Sequence, residues 1–498
     1  MEKSPIPVLA RKTFNMRCGT HNRDDGNPMA FNPIKFSNFW NAVITSPPVK
    51  RMLTLSLKEC DACGRQILET ALDDYVDLNT QKCKKCSVYS RIIGFWIEFL
   101  RRSLSIEEAK VKKILADNYA RRGIKSIVKT FTYFGVTKPL SVYSPFLVVW
   151  DYTRKCNLNC KHCYSDARAA ASSKELTTKE ALTVVDQLAD FGVVALAFSG
   201  GEPLARKDFF KVAKHAVDSG LYVSLATNGT LLNKQTTRKL KEIGLNYVEI
   251  SLDGSSPEVH DEFRGVKGAF EMTVAGLKNC VEEDLCASIA VTATKRNFKD
   301  VPKILELAEN LGAERFALFN FVPVGRGAEL ISQDLSPEER EETLLFLLNK
   351  LLNDPKVTIL ATAPQLARVA VTHQQNREGE ILMPMAHMQT TKVSSKAKIL
   401  ADFIGGCGAG RLYCSISPEG NVQPCVFLPI KVGDLKREKF GEIWLNSKVF
   451  NALRNRENLK GQCGKCDFKY ICGGCRARAY AYNGDILASD PGCILAKD

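Results

Sequence analysis

The chain has 498 residues, of which 45% are hydrophobic and 25% charged, with a formal charge of +14 and eighteen cysteines. That length accommodates two or three domains with ample core, in the composition of a water-soluble fold. No apolar run reaches the roughly 20 residues that span a bilayer, and Met1 to Phe36 has no apolar leader core, so a cytoplasmic protein is expected.

Residues 1–36 read as a disordered lead-in, with Met16 and Met29 as alternative starts. In the next segment, 37–145, Cys60-x2-Cys63 and Cys83-x2-Cys86 lie 19 residues apart. Two such knuckles make one tetrahedral four-thiolate site for zinc or for a single iron. With every position filled, that site is structural. An apolar, aromatic helix from Arg91 to Arg102 follows, then Ile124, Ile127, Val128 and Phe131 at helical spacing among Arg121, Arg122, Lys125 and Lys129. Between Gln81 and Leu140 fourteen lysines and arginines face four acids, which implies an anionic partner. Two readings stay open. Residues 87–135 rest on an anionic membrane surface, making the protein peripheral, or the helix packs on the barrel with a solvated basic face. No nucleic-acid-binding motif is visible, and no nucleic acid partner is expected.

From Pro145 the pattern alternates strand, loop and helix. Strands are expected at 146–151, 193–198, 221–226, 246–252, 287–294 and 315–322, with helices such as Thr178 to Phe191 between them. The fold class is therefore α/β, a partial (β/α)6 TIM-like barrel over 146–355, whose chemistry belongs at the C-terminal strand ends. After the first strand come Cys156, Cys160 and Cys163 in C-x3-C-x2-C spacing. Three thiolates in one loop leave the fourth iron of a 4Fe-4S cube open to a small chelator; a zinc loop is the weaker reading. Later strands end in Ser199-Gly200-Gly201-Glu202-Pro203, Thr227-Asn228-Gly229, Ser251-Leu252-Asp253-Gly254 with His260, Asp261 and Arg264 beyond, and Pro323-Val324-Gly325. A helix starts at Ser336, and 356–404 reads as a linker or substrate loop. The last segment, 405–498, carries Cys407, Cys414, Cys425, Cys463, Cys466, Cys472, Cys475 and Cys493. Cys18, Cys280 and Cys286 remain as incidental thiols.

The cysteine loop and the strand-end series together resemble radical S-adenosylmethionine (SAM) enzymes over roughly residues 145–330. The resemblance implies a SAM-binding 4Fe-4S cluster on Cys156, Cys160 and Cys163. It implies that Gly200 to Pro203 hold the methionine amino group, and that Ser251 and Arg264 take the carboxylate. Tyr164 and the segment at Val324 lie by adenine, with Asn228 and Asp253 in the same series. Ser417-Pro418-Glu419-Gly420-x4-Cys425 resembles the SPASM domain. Its wiring implies two auxiliary 4Fe-4S clusters, one on Cys407, Cys414, Cys425 and Cys475, the other on Cys463, Cys466, Cys472 and Cys493. A double zinc site has the same ligand count. Two departures stand out: the gap Cys472-Gly473-Gly474-Cys475 is one residue short, and Val426 replaces the aspartate of sulfatase-maturing relatives.

The implied reaction is reductive cleavage of SAM to a 5′-deoxyadenosyl radical that removes a substrate hydrogen, with a flavodoxin- or ferredoxin-type electron donor. The catalytic residue proper is not identified. The basic, aromatic N-terminal segment points to coupling or oxidation of a membrane lipid chain. Maturation of a ribosomal peptide, modification of a tetrapyrrole and a non-enzymatic electron-transfer role are the alternatives. Replacing Cys160 by Ala is expected to abolish deoxyadenosine formation after anaerobic reduction; full SAM cleavage by Cys160→Ala would refute the cluster assignment.

Overall fold

The computed structural model describes residues 41–78, 82–170, 172, 174–353, 355–374, 380–385, 388–394 and 400–496. The expected lead-in 1–36 and Cys18 lie outside them. Strands β1 (Leu147–Thr153), β2 (Ala195–Gly200), β3 (Tyr222–Thr227), β4 (Tyr247–Ser251), β5 (Ala287–Ala293), β6 (Arg315–Asn320) and β7 (Thr358–Ala361) lie side by side in chain order, all parallel. All six expected strands are present, with ends shifted by no more than two residues.

The alternation of side chains explains why these segments become buried parallel strands. On β1, Val148, Trp150 and Tyr152 enter the layer beneath the outer helices, while Leu147 and Val149 line the barrel interior. Both faces are therefore covered and both are apolar. The helices between strands carry their own start signals. Thr177 and Glu180 form a reciprocal capping box for Thr178–Phe191, and Ser336 and Glu339 form another for Pro337–Leu352.

The stretch 356–404 is not a plain linker. It supplies β7, the buried helix Gln365–His373, and a separate antiparallel pair, β8 (Glu380–Met385) and β9 (Met388–Ser394). The cysteine-rich segment extends the opposite edge of the sheet. Strand β10 (Tyr413–Ile416) runs parallel to β1, and β11 (Asn421–Gln423) and β12 (Gly433–Asp434) follow antiparallel. The barrel thus stays open, with β7 and β12 as its edges.

The N-terminal helices close the bottom of the barrel. Tyr119 on the helix Asn118–Tyr133 meets Tyr222 edge to face at 5.2 Å. The basic face expected on that helix is not free. Arg121 pairs with Glu69 and Asp73, Lys125 pairs with Glu69, and the Arg122 guanidinium donates to the carbonyls of Ala189 and Val193. Burial beneath the neighbouring chain pulls the Lys129 ammonium pKa down. The acids that meet these cations come from the preceding helix Ile67–Tyr75. The helix Lys84–Ser103 does present Val88, Phe95, Phe99 and Leu100 to solvent. Among the described residues no helix is long and apolar enough to cross a membrane.

A buried ionic knot joins the barrel to the cysteine-rich segment. Asp334 accepts from Arg340 at 2.6 Å and from Arg478 at 2.5 Å, and Arg478 also donates to Asp490 at 3.1 Å. All four side chains are at most 3% exposed. Removing one partner leaves buried guanidinium charge unmet. Asp334→Ala is therefore expected to lower stability by about 3–5 kcal/mol, read from the urea midpoint of the anaerobically purified protein. A loss below about 1 kcal/mol would place the knot in solvent-screened surroundings.

Candidate functional site

The cysteine loop is held from three sides by backbone hydrogen bonds. After β2, Gly201 N donates to Thr153 O and Glu202 N to Lys155 O, both at 2.7 Å. From the segment after β4, Arg264 O and Phe263 O accept from Asn159 N at 3.2 Å and Lys161 N at 3.0 Å. After β6, Arg326 N donates to Cys163 O at 3.0 Å. Glycine is required at two of these contacts. A Cβ on Gly201 would lie 2.2 Å from Lys155 O, and one on Gly325, at φ +59°, would lie 2.4 Å from Tyr164 O.

Within this frame the three thiols are positioned without pairing to one another. Cys156 Sγ accepts from Leu158 N and Cys163 Sγ from Ala167 N, each at 3.4 Å, and Arg264 Nη1 lies 3.7 Å from Cys160 Sγ. Burial pushes the Cys156 thiol up to about 11, so the thiolate form there calls for a cationic partner. Backbone donors at Cys156 and Cys163, a guanidinium at Cys160, and unpaired sulfurs that are buried or half-buried fit an iron–sulfur cluster.

Most of the expected strand-end residues gather around these sulfurs, some in a supporting position. Gly200, Gly201, Asn228, Ser251, Arg264 and Tyr164 line the same cavity as the cysteines. Glu202 is wholly buried and accepts from Thr227 Oγ1 and Asn228 N at 2.9 Å, so its carboxylate ties the β2 and β3 loops together. Burial raises it to about 7. Pro203 is buried behind it, opening a short 3-10 turn. Asn228 donates to Asn157 at 2.8 Å, inside the cysteine loop. Asp253 holds Arg264 at 2.6 Å and accepts from Thr292 N at 2.8 Å, presenting the guanidinium to Cys160. His162 stacks on Phe263 at 4.0 Å and is kept neutral by burial and by Arg264 and Arg326. Val324 packs against the group containing Cys407, Cys425 and Cys475 rather than among the residues lining the cavity.

That cavity, about 430 Å³, runs along the barrel from the cysteine loop to Tyr222, Tyr247 and Arg315 at the opposite ends of the strands. Sequence reading missed four of the residues that shape it. Asp151 accepts from the Tyr164 hydroxyl at 2.8 Å, and burial raises Asp151 to about 7. Arg326 donates to Cys160 O at 3.1 Å and clamps the loop against Asp166. Tyr413 and Phe427 form the wall shared with the C-terminal cysteines. The position of Asp151 near the C-terminal end of β1 was the available signal for it. Val426 lines the cavity at the position where an aspartate was looked for.

The remaining cysteines form separate groups. The sulfurs of Cys60, Cys63, Cys83 and Cys86 all lie within 4.8 Å of one another, with Cys60–Cys83 at 3.7 Å and Cys63–Cys86 at 3.6 Å. A tetrahedron with zinc–sulfur bonds of about 2.3 Å has edges of about 3.8 Å, so the set fits one ion and is too tight for a cube. Cys463 lies near Cys466, Cys472 and Cys493, and Arg368 lies near the same three. Cys407, Cys425 and Cys475 line a second space. The short gap before Cys475 is bridged by Gly473 and Gly474 at φ +64° and +63°, which turns Cys475 away from the group of Cys472. Cys414 does not join its expected set. On β10 it pairs in register with Val148 of β1, and both side chains lie in the helix-covered core. Tyr413, one residue earlier, points the other way, beside Cys425.

Comparison with known proteins follows the same lines. A family model described as the radical SAM superfamily matches residues 150–308, and one described as an iron–sulfur cluster-binding domain, SPASM, matches 407–467. An AdoMet-dependent heme synthase of Methanosarcina barkeri is 40% identical over 352 residues, covering 70% of this chain and 97% of that protein. A PqqA peptide cyclase of Bradyrhizobium diazoefficiens is 30% identical over 359 residues, covering 71% and 87%. The crystal structure of Streptococcus suis SuiB bound to S-adenosylmethionine superposes with a TM-score of 0.59 at 16% identity, covering 86% of this chain and 93% of that one. This last likeness is one of fold.

The four-cysteine site gives a direct test. Cys63→Ser is expected to lower the bound metal by about one ion per chain while sparing the other groups, as measured by elemental analysis. Unchanged metal content would show that the knuckles hold nothing.

Proposed function

The chain belongs to the radical SAM superfamily with a SPASM iron–sulfur domain, and we propose that it modifies the side chains of an iron porphyrin to yield haem. One observation carries the substrate class: the 40% identity to a heme synthase, extending over 97% of that protein. Peptide cyclases match at lower identity. The lipid-chain reading gains nothing from these relatives, and the basic helix that suggested it is engaged within the fold.

When bound, the cluster and SAM together supply a 5′-deoxyadenosyl radical that takes a hydrogen atom from the substrate. The chain's part is to bind, orient and exclude water. Cys156, Cys160 and Cys163 hold the cluster. Arg264, fixed by Asp253, offers its guanidinium to the SAM carboxylate together with Ser251. The strand-end backbone at Gly200 and Gly201 receives the amino group. Tyr164, its hydroxyl anchored on Asp151, offers its ring to the adenine. The mostly apolar cavity wall, with Leu147, Val149, Phe319, Phe321 and Phe427, suits the flat apolar face of a macrocycle.

Cys463, Cys466, Cys472 and Cys493 hold one auxiliary cluster, and Cys407, Cys425 and Cys475 anchor a second. The N-terminal knuckles hold one zinc or iron. A low-potential flavodoxin- or ferredoxin-type donor supplies the electron.

The test is anaerobic incubation of the reconstituted, reduced protein with SAM and iron coproporphyrin III, followed by chromatography and mass analysis of the porphyrins. SAM-dependent haem formation is expected. SAM cleavage that leaves the porphyrin unaltered would overturn the substrate assignment.

A further inference from the structure

The second space in the cysteine-rich segment has three thiols and one side without any. Cys407, Cys425 and Cys475 occupy part of its wall, Pro364, Ala409 and Ala477 another part, and Asn320, Val322, Thr362, Tyr413 and Phe427 the remainder. Those last five residues also line the barrel cavity. Most of the wall that lacks a cysteine is therefore shared with the substrate chamber. Cys414, which lies between Cys407 and Cys425 in sequence, is on the opposite face of β10, wholly buried among the helix-layer residues.

Two polar groups mark the shared wall. The Tyr413 hydroxyl lies 3.4 Å from Cys425 Sγ. The Asn320 amide nitrogen is buried without a hydrogen-bond partner, in a residue 6% exposed, and its carbonyl oxygen is already engaged by Arg340 at 2.8 Å. A buried NH2 left unpaired is costly unless a ligand acceptor meets it. A 4Fe-4S cube held by three thiolates has one iron free for an oxygen donor, and carboxylates are competent iron ligands.

We propose that Cys407, Cys425 and Cys475 alone hold this auxiliary cluster, that its fourth iron faces the barrel cavity, and that it takes a carboxylate oxygen of the substrate, with the Asn320 amide donating to the bound carboxylate and the Tyr413 hydroxyl donating to Cys425 Sγ. The identity of the carboxylate rests on the porphyrin reading; the three-thiolate seat does not. The cluster then positions the substrate as well as standing beside it, and it selects for a macrocycle with acidic side chains.

The experiment uses the full chain carrying Cys156→Ala, Cys160→Ala and Cys163→Ala, so that the SAM loop contributes no open iron, reconstituted anaerobically with 57Fe. In this background Cys414→Ala is expected to keep its iron and the low-temperature EPR of both auxiliary clusters. Cys407→Ala is expected to lose about four irons. Loss of one cluster in Cys414→Ala would make Cys414 the fourth ligand and overturn the proposal. Mössbauer spectra are then recorded with metal-free coproporphyrin III and with its tetramethyl ester. A distinct signal from one iron is expected with the acid, not with the ester, and weakened in Asn320→Ala. Identical spectra, with porphyrin binding confirmed by its absorption shift, would overturn carboxylate ligation. If neither porphyrin binds, the porphyrin reading fails, and the same spectra recorded with free propionate decide the carboxylate proposal by themselves.

Discussion

Everything at the site depends on how closely three strand-end loops press against the cysteine loop. A loop with three thiols has no reason of its own to aim them at one point. Here the backbone from β2, β4 and β6 hydrogen-bonds to it at 2.7–3.2 Å, and at Gly201 and Gly325 there is no space for a Cβ. The sulfurs are held in place before any metal arrives. Charge follows from the same packing, because Asp253 is wholly buried and keeps Arg264 against Cys160. Binding of a small chelator through its carboxylate then requires little reorganisation.

The second constraint is the shared sheet. β10 of the cysteine-rich segment pairs directly with β1, whose end carries the cysteine loop. Arg154 in that loop reaches Glu419 at 2.9 Å, and the Asp334–Arg478–Asp490 knot ties the other side. The auxiliary groups and the SAM-side loop are thus parts of one packed body. Tyr413, Phe427 and Val426 sit on the wall between them.

Much of this was legible in the sequence, for physical reasons. The six main strands are apolar runs, and the ends of β1, β2, β3, β4 and β6 lead into the motif residues. The cysteine loop was legible because few other functions need three thiols in one turn. β7 was missed because Thr358–Ala361 is only four residues long and follows a polar turn. Cys414 was misassigned because spacing along the chain does not say which face of a strand a side chain takes. The period-two alternation of Tyr413, Cys414, Ser415 and Ile416 puts Cys414 with Ile416 in the core. The basic helix misled because a charge count over one window omits acids that lie about fifty residues earlier in the chain and fold onto it. Asp151 and Asn320 carry no motif, and only the assembled barrel shows what they face.

The central claim is that the radical generated at the Cys156, Cys160 and Cys163 loop acts on a porphyrin side chain within the same cavity. The most direct measurement follows deuterium from iron coproporphyrin III, labelled on its propionate side chains, into the 5′-deoxyadenosine released in a single turnover. Deuterium in the nucleoside is the predicted result. Deoxyadenosine formed at the same rate without label, in the presence of bound porphyrin, would contradict the account.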